Sequence, residues 1–110
     1  MIEADAIVIG SPVYYGDVTA QLKALMDRSW PYRKRLKDKV GGAIAVGGSS
    51  YQGRTIETIN VWFEMHQIII PRKGAMGSAW DIGDIKKDKQ VIEGARTLGN
   101  RIFEVLQNFG

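Results

Sequence analysis

The stretch "DAIVIGSPVYYGDVTAQLKALMDR" (residues 5–28) joins a short apolar run to a polar turn and an amphipathic segment. Residues 5–10 are apolar without a break and end in glycine, which is typical of a strand buried on both faces of a parallel sheet. Residues 18–28 predict a helix that Thr19 caps and Pro31 closes. The apolar residues of that helix fall on one face: Leu22, Leu25 and Met26.

The same alternation of strand and helix continues along the chain. "KVGGAIAVGG" (39–48) predicts a second strand, and "GRTIETINVWFEMH" (53–66) predicts a helix. "QIIIP" (67–71) predicts a third strand, because it is short and β-branched. A polar loop is expected at 72–87 and a last helix at 88–108. The helical positions expected to face the core are Ile56, Ile59, Phe63 and His66, then Val91, Ala95, Leu98, Ile102, Val105 and Phe109.

Three strand–helix units in series predict an α/β fold with a parallel sheet and helices on its faces. The 110 residues suit one domain, residues 1–110. The chain has no cysteine, which excludes a disulfide framework, a cysteine nucleophile and a thiolate-held cluster within it, and a cytoplasmic location is expected. No apolar run is long enough to cross a membrane. The net charge is +3, and the cations of residues 33–39 are expected to be solvated.

Two polar loops follow the first two predicted strands, "GSPVYYGD" (10–17) and "VGGSSYQGR" (46–54). Ligands of open α/β sheets bind beyond the carboxyl ends of the strands, where both loops should lie. The loops hold no Ser/His/Asp arrangement, paired carboxylates or metal-ligand spacing, so no catalytic or metal residue is predicted. They offer tyrosine rings and main-chain groups, which suit a flat heteroaromatic ring. The alternative is that Tyr14 and Tyr15 are ordinary loop residues.

Three segments resemble one known family: "EADAIVIGSPVYYGDVTAQLKALMDR", "KVGGAIAVGGSSYQGRTIETI" and "MHQIIIP". They are similar to the second half of the flavodoxin-like NAD(P)H-dependent FMN reductases. The iron–sulfur flavoproteins and the tryptophan-repressor-binding-protein-like quinone reductases are the most similar branch. The resemblance covers residues 3–71, and the last helix more loosely. It implies a truncated flavodoxin-like three-layer sandwich, in which the three strands are the family's strands 3, 4 and 5.

The resemblance also implies a cofactor and a site. In the family the first loop lines the isoalloxazine ring of FMN, and the second loop holds the pyrimidine side of that ring. NAD(P)H is the implied co-substrate, and a flavin, a quinone or a similar small molecule is the implied electron acceptor. The residues implied to bind the cofactor are Ser11, Pro12, Val13, Tyr14, Tyr15, Gly16, Gly47, Gly48, Ser49, Ser50, Tyr51 and Gly53.

The chain departs from the family pattern at several points. The family's first two strands, its phosphate-binding loop and the cysteine cluster of the iron–sulfur branch are absent from residues 1–110. The strand at 5–10 should therefore have an open edge, and we expect a complementary polypeptide, a second copy or a domain swap to pair with it. Met65 stands where quinone-reductase relatives often carry a histidine beside the flavin, so His66 is expected to pack structurally. Two tryptophans could flank a nicotinamide or a quinone, or simply pack: Trp30 and Trp80.

Two other functions fit parts of the sequence. A non-catalytic assembly module could keep the sheet and no longer bind FMN alone, because the phosphate-binding loop is missing. Nucleic-acid binding through residues 33–39 is disfavoured, because no aromatic residues are interleaved with the cations.

Overall fold

The computed structural model describes residues 1–81 and 83–109. Its centre is a sheet of three parallel strands in the order β1-β2-β3. The strands are β1 (Ala6–Pro12), β2 (Val40–Gly47) and β3 (Ala75–Ser78). The central strand is therefore β2, and the strands follow one another in space as they do in sequence.

Three α-helices flank the sheet: α1 (Ala20–Arg28), α2 (Gln52–Met65) and α3 (Lys89–Phe109). The side-chain hydroxyl of Thr19 accepts a hydrogen bond from the backbone N–H of Leu22 at 3.1 Å, which confirms the predicted cap of α1. The predicted α/β class and parallel sheet are thus confirmed. None of the helices among the described residues combines the length and apolar character needed to span a bilayer.

The two faces of the sheet bury different helices, as the alternation of side chains along a strand requires. Ala43 and Ala45 of β2 point toward α1 and α2 and join a core built around Phe63. Val40 and Ile44, from the alternate positions, pack against α3. The α3 residues that bury their side chains in this second core are Leu98, Ile102 and Val105.

Adjacent glycines in β2 let helices approach the sheet from both sides. A Cβ at Gly41 would lie 2.8 Å from the Cγ2 of Ile68, with the ring of Phe63 at 3.0 Å. A Cβ at Gly42, on the opposite face, would lie 2.9 Å from the Cδ1 of Ile102. Side chains from the segments on either face thus fill the space that a β2 side chain would otherwise occupy.

The predicted third strand at residues 67–71 is wrong. That segment makes one isolated parallel bridge, between Val40 and Ile69, and Pro71 then follows without an N–H to continue the ladder. The regular strand β3 lies later, within the predicted loop at 72–87, and pairs with β2 from Ile44 to Gly47. Its sequence "AMGS" has little β-propensity, so its partner strand determines it rather than its own composition.

The structure corrects three further details of the first unit. β1 is not buried on both faces, because Val8 is 55% exposed while its neighbour Ile7, on the opposite face, is buried. Leu25 is 48% exposed, so the buried face of α1 is carried by Met26. The helix ends at Arg28, before Pro31, which lies in a short 3-10 turn.

Other sequence expectations are confirmed. The predicted α2 face is buried throughout, and Val91 joins the three buried α3 residues named above. Ala95 is half-buried, and the side chain of Phe109 lies outside the described residues. In residues 33–39 the charged side chains are mostly exposed, while Leu36 is buried.

His66 packs structurally at the end of α2, as expected. It is 3% exposed, and its Nε2 lies 2.9 Å from the hydroxyl of Ser29. That hydroxyl accepts a hydrogen bond from the indole N–H of Trp62 at 2.8 Å and donates to the carbonyl of Met26 at 2.7 Å. The Ser29 hydroxyl thus links Trp62 of α2 and His66, at the end of that helix, to the last turn of α1.

We expect Gly42→Val to destabilise the protein by about 1–3 kcal/mol, because the added atoms overpack the space filled by Ile102 and Leu98. Gly99→Ala is the matched control: nothing lies within 4 Å of its added Cβ, and alanine favours the helix. Urea unfolding of both variants measures the difference. Equal stability of the two variants would contradict this packing.

Candidate functional site

The loops after β1 and β2 lie against each other at the carboxyl end of the sheet. The backbone N–H of Val13 donates to the carbonyl of Val46 at 3.0 Å, which extends the β1–β2 pairing into the loops. A Cβ at Gly47 would lie 2.9 Å from the Cγ2 of Val13, so glycine is needed for this approach. The ring of Tyr51 lies against Gly16, where an added Cβ would be 3.6 Å from the tyrosine Cγ.

The first loop is a tight hairpin turn closed by Tyr14 and Asp17. The N–H of each donates to the carbonyl of the other, at 2.8 and 3.2 Å. Both central residues have positive φ, 49° at Tyr15 and 78° at Gly16, as in a type I′ turn. A tyrosine rarely adopts this conformation, and here its side chain is fully exposed. The turn therefore holds Tyr15 in a strained geometry without packing its ring.

A groove of about 480 Å³ runs between the two loops. Its lining includes Gly10, Ile44 and Val46, on the face of the sheet that packs against α3. No lining residue carries a charge: the others are Ser11, Pro12, Val13, Tyr14, Gly47, Gly48 and Ala79. Its size and apolar walls suit an uncharged planar ring better than a phosphate group.

Four consecutive backbone N–H groups of the second loop, from Gly48 to Tyr51, have no acceptor among the described residues, and the first of these residues, Gly48, lines the groove. They lead directly into α2, whose N-terminus carries a partial positive charge. Tyr51 itself has φ 71°, which turns the chain from the loop into the helix. The second loop thus presents main-chain donors to a ligand with hydrogen-bond acceptors along one edge.

A third segment, after β3, completes this end of the sheet, although no sequence pattern predicts its contribution. The N–H of Ala79 donates to the carbonyl of Gly47 at 3.1 Å. The buried amide of Gln52 donates to the carbonyl of Gly77 at 3.1 Å and also contacts Gly47 and Ser78. A glutamine at a helix start predicts an exposed side chain, so the sequence carries no signal for this role.

Trp80 lies against the second loop. A Cβ at Gly48 would be 2.8 Å from the Cη2 and Cζ3 of Trp80 and 3.0 Å from its Cε3, which places the six-membered ring of the indole next to the glycine. The side chain is nevertheless 78% exposed. The six-membered ring of the indole therefore touches the loop, and most of the side chain is open to solvent.

The structure brings half of the predicted site residues together. Six of the twelve line the groove: Ser11, Pro12, Val13, Tyr14, Gly47 and Gly48. Five lie in the same two loops outside the lining: Tyr15, Gly16, Ser49, Ser50 and Tyr51. Gly53 belongs to the first turn of α2 and faces the sulfur of Met76, 3.8 Å from its added Cβ, so it stands apart from the groove. The hydroxyl of Ser11 braces the first loop, because it donates to the Pro12 carbonyl and accepts from the N–H of Thr19.

Asp88 fixes the third segment to α3. One carboxylate oxygen accepts from the N–H of Ser78 at 3.0 Å, and the other accepts from the N–H of Val91 at 3.1 Å. These two hydrogen bonds hold the pKa of Asp88 below its ordinary value of 3.8, and the bond from Ser78 has the larger effect. The same carboxylate thus caps α3 and anchors the residue that precedes Ala79 and Trp80.

A larger cavity, about 770 Å³, lies between α1 and α2, away from most of the predicted residues. Met65, Trp30 and Arg54 contribute to its lining, with Asp17 from the first loop. Trp30 stacks on the guanidinium of Arg33, 4.4 Å from the ring centroid. The side chains that line this cavity carry both signs of charge, so it is the poorer match for a flat neutral ring.

Comparison with known proteins relates the chain to flavoproteins. Residues 1–81 match the model of a family described as NADPH-dependent FMN reductase. An iron–sulfur flavoprotein of Methanocaldococcus jannaschii is 45% identical over 118 aligned residues, covering 97% of this chain and 61% of that protein. An NAD(P)H dehydrogenase (quinone) of Brucella anthropi is 28% identical over 96% of this chain and 64% of its own length.

A solved structure confirms the fold. The Trp repressor binding protein of Bacillus subtilis superposes with a TM-score of 0.79 at 21% identity, covering 88% of this chain and 69% of that one. The likeness supports the predicted flavodoxin-like arrangement of sheet and helices. The chain spans about three fifths of the length of the archaeal iron–sulfur flavoprotein.

Asp88→Asn should lower the free energy of unfolding above pH 5, where the wild-type carboxylate is ionised and holds both N–H groups. Because the folded-state pKa is lowered, this contribution is present above 3.8 and is lost as the pH falls through the folded value. The stability difference between variant and parent should therefore shrink toward pH 2.5. Asp81→Asn, at an exposed position of the same segment, is the control. A difference that stays constant with pH would contradict the role of the charge.

Tyr15→Asn should raise the melting temperature by about 2–4 °C, because asparagine tolerates positive φ better than tyrosine. The resulting Asn-Gly pair is also the preferred type I′ sequence. Tyr32→Asn is the control, since Tyr32 is exposed and lies in a 3-10 turn. Calorimetry of both variants measures the shift, and a lower melting temperature for Tyr15→Asn would show that the turn is not strained.

Proposed function

We propose that this chain, which belongs to the NADPH-dependent FMN reductase family, binds the isoalloxazine ring of FMN in the groove between its first two loops. With FMN bound, the protein would oxidise NAD(P)H and reduce a small-molecule acceptor of the flavin or quinone type. The observation that carries the proposal is the pairing of an uncharged groove with four free main-chain N–H groups.

The groove offers two kinds of contact that would suit the two sides of a flavin ring. Tyr14, Pro12 and Val13 offer apolar contact to its dimethylbenzene and central rings. The N–H groups from Gly48 to Tyr51 would donate to the polar atoms of its pyrimidine edge. Both contacts are uncharged, so the groove matches the ring and leaves the ribityl phosphate to be held elsewhere.

FMN would supply the hydride chemistry, which explains why no acid–base residue is needed in the groove. The chain's own contribution is to position the ring and to set its electronic environment. The positive N-terminus of α2 and the adjacent N–H groups would stabilise negative charge on the pyrimidine edge. Tyr14 and the exposed Tyr15 would limit how deeply water and substrates reach the ring.

The acceptor class is proposed from chemistry and from one relative. The groove is open to solvent beside aromatic side chains, which suits a planar acceptor that approaches and leaves without a conformational change. The Brucella anthropi relative is described as an NAD(P)H dehydrogenase that acts on quinone. A quinone or a free flavin is therefore the proposed acceptor class for this chain.

We also propose that polypeptide outside residues 1–110, either a complementary segment or a second copy, completes the sheet beyond β1. Among the described strands, β1 pairs only with β2, so its outer edge is open. On β1 itself, Val8 exposes an apolar side chain on the sheet face. An open, apolar strand edge is a template for pairing with a further strand.

Gel filtration with added FMN tests both proposals, when absorbance in the flavin bands and light scattering are recorded together. We expect flavin to elute with a species heavier than one chain. Flavin eluting with a monomer would retain the FMN proposal and contradict the partner proposal. A colourless protein peak would favour the alternative, a module that no longer binds FMN alone.

Tyr14→Ala should weaken FMN binding about 3- to 10-fold, the value of one aromatic stacking contact. Tyr32→Ala removes a tyrosine of similar exposure that lies outside the groove and should leave the affinity unchanged. Titration of flavin fluorescence measures both. Equal affinities of the two variants would contradict the placement of the ring beside Tyr14.

A further inference from the structure

We propose that Trp80 is the contact surface for the electron acceptor, and that it decides which acceptors the protein prefers. The inference rests on the proposed function, because it assumes a flavin ring in the neighbouring groove. It concerns a residue that lies outside the groove lining and that belongs to neither of the two predicted loops.

The position of Trp80 follows from its contacts. Its six-membered ring lies next to Gly48, the first of the four loop residues whose N–H groups have no acceptor among the described residues. The preceding residue, Ala79, lines the groove and is hydrogen-bonded to Gly47. Trp80 therefore stands at the rim of the groove, one residue from its wall.

The packing of Trp80 also shows why it is a surface for a ligand rather than part of the core. A core tryptophan buries its ring, as Trp62 does, whereas Trp80 leaves most of its surface in solvent. Large aromatic side chains held open to water on a rigid support are typical of sites that stack planar ligands.

Hydrogen bonds hold the segment that precedes Trp80 in place. Asp88 anchors Ser78, and Gln52 joins the carbonyls of Gly77 and Gly47. These bonds fix the segment on which the indole is mounted, relative to the loop that would bind the flavin. A planar acceptor that stacks on Trp80 would therefore meet the groove in a reproducible position.

This arrangement predicts selectivity by shape. A planar aromatic quinone can stack on the indole, whereas a compact inorganic oxidant such as ferricyanide has no flat face to use. Trp80 should lower KM for the quinone and leave the oxidation by ferricyanide unaffected.

The test uses the FMN-loaded protein with menadione and with ferricyanide as acceptors. Trp80→Ala should raise KM for menadione about 3- to 10-fold with little change in kcat, and should leave the ferricyanide rate and the FMN affinity unchanged. Trp80→Phe should restore most of the menadione affinity. Trp30→Ala, at the other exposed tryptophan, should match the parent protein.

A second readout does not depend on turnover. Without NAD(P)H, calorimetric titration of the oxidised, FMN-loaded protein with menadione should show the same loss of affinity in Trp80→Ala. Gly48→Ala should weaken menadione binding too, because its added Cβ would lie 2.8 Å from the ring and displace it. The double variant should then be no worse than Trp80→Ala alone.

The outcomes separate this inference from the function on which it rests. Unchanged KM and Kd for menadione in Trp80→Ala would overturn the role of Trp80 and leave the flavin proposal standing. A parallel loss with ferricyanide would also overturn it, since Trp80 would then act on the flavin or the loop. Failure of the parent protein to bind FMN would overturn both proposals.

Discussion

Glycines lie at both ends of β2, and their lack of a side chain lets the neighbouring helices and loops contact the backbone of the central strand. At Gly41 and Gly42 the helical layers come close enough to touch the backbone of the central strand, one on each face. At Gly47 and Gly48 the loops after β1 and β3 do the same at its carboxyl end. One strand thus sets the thickness of the sandwich and the spacing of the loops, and a side chain at any of these four positions would push a neighbour away.

The candidate site is a product of that close approach. Val13 and Trp80 lie on Gly47 and Gly48 from two different loops, and Gln52 ties the same strand end to β3. The backbone N–H groups without an acceptor among the described residues begin at Gly48, directly after the contacts at Gly47. Rigid walls beside unsatisfied donors are what a cofactor site requires, because the donors are held in place before the ligand arrives.

The sequence was sufficient for the α/β class, the first two strands, all three helices and the two loops, because each has a strong local signal. Apolar runs that end in glycine marked β1 and β2, and a regular helical period marked α3. The third strand was misplaced, since "QIIIP" has the composition of a strand while "AMGS" does not. Because β3 was misplaced, the sequence did not predict the contact of Ala79 with Gly47 or the hydrogen bond between Asp88 and Ser78. The hydrogen bonds of Gln52 form only where the start of α2 and the ends of β2 and β3 come into contact, and no local sequence pattern predicts that contact.

If the loops at the carboxyl end of the sheet bind the flavin ring, their backbone amides report that binding most directly. An amide proton–nitrogen correlation spectrum of the labelled protein, recorded with and without FMN, shows which N–H groups change. We predict the largest shifts at Gly48, Ser49, Ser50 and Tyr51, with smaller ones at Tyr14 and Tyr15. Shifts concentrated along the cavity between α1 and α2, at Trp62 and Met65, would contradict the account.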